Sequence, residues 1–279
     1  MGLYRLNRLF HPVSRRALDV AVDHGFFGEP QFLRGIERMD RVVGELVAAD
    51  PDAIQLTLGQ ARHLQSIPGK LKPALILRVD VANVYGSLES GSRFSMHLPN
   101  AVEEAVRLDA VAICANLLDV PGQPELREAT IRSLVQLRRD ATRFDMPLMI
   151  EPLVMKVGGP SGYITDGDVV RIATLVRQAV ELGADLIKAD PSEDLDEYAS
   201  VVEVAGDVPL LVRGGGRVDN RSLLERTVAV LSAGASGIVY GRNVIQHPRP
   251  AAITRALKAI LHDGATVDES LVWLEETQR

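Results

Sequence analysis

Short apolar runs of strand length recur along the chain, each followed by a stretch with helical spacing. They cover Ala17 to Val22, Ala53 to Thr57, Ala74 to Val79, Ala110 to Ala115, Leu148 to Leu153, Ala184 to Ala189, Pro209 to Val212 and Ser236 to Tyr240. Strand-then-helix alternation predicts an α/β fold with a parallel sheet, because right-handed crossovers place helices between parallel strands. Eight such units predict closure into a single (β/α)8 TIM barrel over residues 1–279. An open doubly wound sheet is the structural alternative.

The clearest helix runs from Asp168 to Leu182, where Val169, Ile172, Ala173, Val176 and Val180 share a face and Gly183 is the stop signal. The same reading gives helices over Asn220 to Ser232 and Pro250 to Leu261. The glycine-rich stretch Val157 to Gly167 follows the fifth strand and is expected to be a loop over the site, since βα loops build active sites in barrels.

Composition narrows the function. A length of 279 residues fits one barrel, which commonly runs to about 250. Hydrophobic residues at 46% and charged residues at 24% are globular values, and no run of about 18 apolar residues exists to cross a membrane. A formal net charge of -6, with no basic stripe, argues against nucleic acid as a partner. The single cysteine, Cys114, excludes an internal disulfide and a cysteine-built zinc site. Arg5, Arg8, Arg15 and Arg16 interrupt the early apolar residues, so no secretory signal is expected and the protein is read as cytoplasmic.

Lys188 is the main chemical candidate. It lies near the end of the sixth strand, in Ala184-Asp185-Leu186-Ile187-Lys188-Ala189-Asp190, where a barrel delivers side chains to its active face. A lysine amine titrates at about 10.4 in water; burial in an apolar barrel is expected to lower that value and leave a nucleophilic amine for a ketone or aldehyde. The other reading is a lysine paired with Asp185 or Asp190. Asp23, in Asp23-His24-Gly25 after the first strand, is either a proton-transfer acid or a turn aspartate, and His24 is a candidate substrate contact. Glu151 supplies a second carboxylate at the opposite rim, with a pKa expected to be raised by burial.

Two glycine turns follow the last two strands, Arg213-Gly214-Gly215-Gly216 and Gly241-Arg242-Asn243. Consecutive strand ends of this kind are where barrels bring backbone N–H groups to a phosphate, and Arg242 and Arg213 add bidentate cations. Lys156 reads as a loop charge or an anion contact. Asp80, Asn83 and Asn116 are either hydroxyl contacts or turn residues. The six histidines show no close pair with metal-ligand spacing, so no metal is expected.

Val22-Asp23-His24-Gly25, the lysine strand, Arg213-Gly214-Gly215 and Gly237 to Val244 together resemble the class I, Schiff-base aldolases grouped with archaeal-type fructose-bisphosphate aldolase and deoxyribose-phosphate aldolase. The resemblance implies Lys188 as the Schiff-base residue, Asp23 as an acid/base, and Gly214, Gly215, Gly241 and Arg242 as a phosphate cradle. It also implies a small phosphorylated sugar or ketone as substrate, no cofactor, and a homo-oligomer; the amphipathic segment Val267 to Glu275 is a candidate to lie across a neighbour. The fifth strand departs from the fructose-bisphosphate enzymes, which carry a proton-donating tyrosine there. Glu151 is instead similar to the acid/base glutamate of class I tagatose-bisphosphate aldolases, with Tyr163 a substitute if its loop folds inwards. A lyase is therefore expected. The alternatives are thiolase-like acyl transfer on a phosphorylated diketone and a non-catalytic sugar-phosphate-binding barrel.

Overall fold

The computed structural model describes residues 2–69, 71–85, 93–158 and 162–276. Its barrel strands are β1 (Ala17–Ala21), β2 (Ala53–Thr57), β3 (Ala74–Arg78), β4 (Ala110–Asp119), β5 (Leu148–Val157), β6 (Leu186–Ala189), β7 (Leu210–Arg213) and β8 (Gly237–Tyr240). Each pairs in parallel with its sequence neighbours, β1 pairs with β8, and β4 pairs with β5, so the sheet has no open gap. This is a closed (β/α)8 TIM barrel; the doubly wound alternative is excluded by the β1–β8 pairing.

Within the barrel the strands are buried on both faces, which is why the sequence shows continuous apolar runs rather than alternation. The pleat still divides the residues. Leu18, Val20, Ile54, Leu75, Ile150 and Ile187 pack outward against the helices. Ala17, Ala21, Ala53, Ala74, Ile76, Ala112, Met149 and Leu186 fill the barrel interior with Leu9. Near the N-terminal strand ends, Arg5 in the short helix Leu3–Leu6 donates to the carbonyl of Ala110 at 2.8 Å.

The helix predicted from Asp168 spans Val169–Glu181, with the Asp168 carboxylate accepting from the N–H of Arg171 at 2.9 Å as an N-cap. Asp219 caps Asn220–Ser232 in the same way. The helix from Pro250 ends at Lys258 and continues as a π turn, Ala259–Asp263. That turn aims His262 at Ser14 (2.8 Å) and Asp52 (2.9 Å), joining it to the start of the barrel.

One expectation about a segment changes. β5 extends to Val157 and folds back as an antiparallel hairpin with Tyr163–Thr165, so Val157 to Gly167 is not an irregular loop; residues 159–161 lie outside the described residues. The C-terminal helix Val267–Glu276 packs one face on Asn220–Ser232 and Pro250–Lys258 of its own chain and leaves Val272 and Trp273 half-exposed. Among the described residues, no helix is long and apolar enough to cross a membrane.

Candidate active site

The inward phase of each strand sets the site. On β6, Leu186 faces the interior and Ile187 the helices, so Lys188 returns inward; on β5 the same count through Met149 and Ile150 brings Glu151 inward. Both side chains enter one cleft at the C-terminal ends of the strands, together with Asp23, His24, Arg213, Gly214, Gly215, Gly241 and Arg242. The catalytic and phosphate-wall candidates from the sequence thus line the same cleft.

Lys188 is 5% exposed, and its amine lies 3.0 Å from Oε2 of Glu151. Burial alone would lower its pKa, but Glu151 and then Asp23 outweigh burial, and the value is raised. The resting residue is an ammonium, contrary to the sequence expectation of a neutral amine in an apolar pocket. Its alternative partners are engaged elsewhere: Asp185 pairs with Arg138 and Asp190 with Arg213 at 3.2 Å.

Glu151 reverses in the same way. Burial pushes it up, yet Lys188, Arg78 and Arg213 hold it down to about 2, so the expected upward shift is not found. Asp23 is pushed up by burial and pulled further down by Arg78, Lys188 and His24, well below the usual carboxylate range. It accepts from Nε of Arg78 at 2.7 Å and from Nε2 of Gln55 at 2.5 Å. The two carboxylates are therefore joined through one guanidinium rather than standing separately at opposite rims. Burial lowers His24 to about 4 against the pull of Asp23, leaving a neutral ring at pH 7.

The two glycine turns form one wall. Asn243 Nδ2 donates to the carbonyls of Gly214 (3.1 Å) and Gly216 (3.2 Å), and Arg242 donates to that of Gly215 (3.3 Å). Glycine is required at 241 because a Cβ there would meet the His24 ring at 2.3 Å. Gly215 adopts φ +60°, a left-handed conformation that favours glycine. Arg213 is held by Asp190, by Glu151 at 3.6 Å and by the Tyr85 hydroxyl at 3.2 Å. Arg242 has no carboxylate within ion-pair distance among the described residues, and its guanidinium stacks over Phe32 at 5.0 Å. It is thus the more available cation for an anion.

Other candidates fall outside the cleft. Lys156 pairs with Glu193 at 2.7 Å, and the Tyr163 hydroxyl donates to the Pro121 carbonyl at 3.1 Å, so neither reaches Lys188. Asp80 accepts from Arg78 and from Asn116, and Asn83 accepts from the N–H of Phe94, which assigns them to support. Among the described residues, no three His, Cys, Asp or Glu side chains are grouped to hold a metal.

Sequence reasoning missed Arg78, Asp19 and the aromatic side of the cleft, Phe27, Phe32 and Tyr85. Counting the pleat from Ile76 would have turned Arg78 inward. Asp19 is fully buried in the barrel and neither carboxylate oxygen has a hydrogen-bond partner among the described residues. Burial, opposed chiefly by Lys188, raises its pKa from the ordinary 3.8 to about 7. The folded state therefore holds this proton more tightly than the unfolded chain, and stability is lost as pH rises from the unfolded value through 7. Asp19→Asn is expected to stabilise the fold at about pH 8 by about 4 kcal/mol and to do little near pH 4, read from thermal melts at both values. A difference independent of pH would show that Asp19 does not titrate in the fold.

A family model described as DeoC/LacD family aldolase matches residues 17–247, from the first residue of β1 to beyond β8. An uncharacterised aldolase of Saccharolobus solfataricus is 31% identical over 273 residues, covering 96% of each chain. A Klebsiella pneumoniae protein named 3-hydroxy-5-phosphonooxypentane-2,4-dione thiolase is 30% identical over 275 residues, 98% of this chain and 86% of that one. A Schiff-base-forming fructose-1,6-bisphosphate aldolase of known structure matches with a TM-score of 0.75 at 27% identity, over 94% of this chain and 100% of that one. An archaeal fructose 1,6-bisphosphate aldolase gives 0.74 at 28% identity, over 95% and 100%. The matched segment contains all eight strands and every residue lining the cleft, and on that ground the chain belongs to the DeoC/LacD family of aldolases, a family of enzymes.

Proposed function

We propose that the protein is a class I aldolase that makes or breaks a C–C bond in a phosphorylated ketose through a Schiff base on Lys188. The observation that carries this reading is the Lys188–Glu151 contact of 3.0 Å, in a cleft whose wall is built from two glycine turns and Arg242. Glu151 is placed to take a proton from the ammonium, freeing the amine to attack the substrate carbonyl. Loss of water from the carbinolamine gives an iminium. A carboxylate, Asp23 or Glu151, then removes the proton of the hydroxyl beyond the scissile bond. The C–C electrons flow into the iminium, an aldehyde leaves, and the enamine is protonated before water releases the ketone. Arg242 and the glycine turns anchor the phosphate, a non-reacting part whose binding orients the carbonyl over the amine. This chemistry calls for no cofactor. The reading places the enzyme in the cytoplasm as a homo-oligomer.

Acyl transfer from a phosphorylated diketone is the second reading, favoured by the Klebsiella relative's name and its 30% identity. Both readings use the lysine and the phosphate wall, so two measurements are needed. Incubation with dihydroxyacetone phosphate and borohydride, followed by peptide mass analysis, is expected to give one adduct on the peptide containing Lys188; unmodified protein would overturn the Schiff-base reading. Incubation of a phosphorylated diketone with and without coenzyme A separates the reactions. A thioester formed only with coenzyme A would favour the transferase.

A further inference from the structure

Arg78 ends β3, and the pleat that turns Leu75 and Leu77 towards the helices turns its side chain into the barrel. It is 1% exposed, the largest of the fully buried side chains. A guanidinium taken out of water costs several kcal/mol unless its donors are matched. Here the match extends to three acids: Nε donates to Asp23 at 2.7 Å, Nη1 to Asp80 at 3.0 Å, and Nη2 to Glu151. Asp80 is fixed in turn by the N–H and side-chain amide of Asn116, at 3.0 and 2.7 Å. The Phe27 ring lies 6.0 Å from the guanidinium. Oε2 of Glu151 thus sits between Nη2 of Arg78 and the amine of Lys188.

We infer that Arg78 is a positioning residue, a three-way strut that sets where Asp23 and Glu151 stand around Lys188 and therefore how they exchange protons with it. The inference deepens the Schiff-base reading and rests on it for its kinetic consequences. A lysine would restore the charge but not the planar fork, because one ammonium cannot hold three carboxylates in these directions. Without any cation at 78, Asp23, Glu151, Asp80 and Asp190 would face Lys188 and Arg213 alone. Both carboxylates beside the amine would then protonate at higher pH. A strut that served folding alone would lower the melting temperature and leave the titration of Glu151 where it was.

The test uses Arg78→Met and Arg78→Lys in the full-length protein labelled with 13C at the glutamate side-chain carboxyls, with the Glu151 signal identified by its loss in Glu151→Gln. In Arg78→Met the Glu151 titration is expected to move up by about 1–3 pH units, since an opposite charge at this range shifts a carboxyl by that much. In Arg78→Lys it is expected to stay low, while the maximal rate of borohydride-trapped adduct formation with dihydroxyacetone phosphate falls about 100-fold at little-changed half-saturation, the cost of a small misplacement. An unmoved Glu151 titration in folded Arg78→Met overturns the inference. If Arg78→Met does not fold, Arg78→Lys decides, and a wild-type adduct rate in that variant overturns it. Should wild-type protein form no adduct at all, the Schiff-base reading fails, and the carboxyl titrations alone judge the role of Arg78.

Discussion

Lys188→Ala is expected to abolish the borohydride-trapped adduct with dihydroxyacetone phosphate and to slow solvent-deuterium exchange into that ketone by at least about a thousandfold, as loss of a covalent nucleophile does elsewhere. No neighbour can replace it. Lys156 is tied to Glu193 and Asp166, and the arginines of the cleft are never deprotonated nucleophiles. The fold is expected to survive, because the Glu151 left behind keeps Arg78 and Arg213 as partners. Lys188→Met, which refills the space, controls for the cavity. An adduct on any other peptide would remove Lys188 from the mechanism. Because Glu151 and Asp23 raise the amine's pKa, its neutral fraction grows with pH, so the wild-type adduct rate should climb about tenfold per unit from about pH 6 to 9. A rate flat over that range would mean the resting amine is already neutral.

Glu151→Gln has the second largest expected effect. The glutamate is the carboxylate nearest the amine, at 3.0 Å, and the one best placed to accept its proton. Its removal is expected to cut deuterium exchange by about 100- to 10,000-fold, the usual worth of a positioned acid/base. Adduct formation should remain detectable, because the amine itself persists. The variant also loses the charge that raises Lys188 most, so the rise of the adduct rate should begin at lower pH than in wild type. Unchanged exchange would exclude Glu151 from proton transfer and leave Asp23 as the candidate.

The two residues differ in how openly the sequence declared them. Lys188 stands alone as a cation within an apolar run, an arrangement that demands a partner or a use, and the glycine turns after β7 and β8 carry their own backbone signature. Arg78 shows nothing comparable. Set at the end of Ala74-Leu75-Ile76-Leu77-Arg78 and followed by Val79-Asp80, it reads as an ordinary strand-end charge. Asp19 is hidden differently, as one polar residue in a short run whose neighbours on both faces are buried.

By itself the sequence determined the eight strand-and-helix units, the closure they imply, and which residues stand at the C-terminal strand ends, because these follow from local apolar runs and turn chemistry. The charge states were decided only by the tertiary structure. Local reasoning sees burial, which alone would neutralise Lys188 and raise Glu151. The closed barrel adds Glu151 to Lys188 across 37 residues of chain and Arg78 to Glu151 across 73, and although burial is the largest single effect on each group, the attractions of several partners together exceed it.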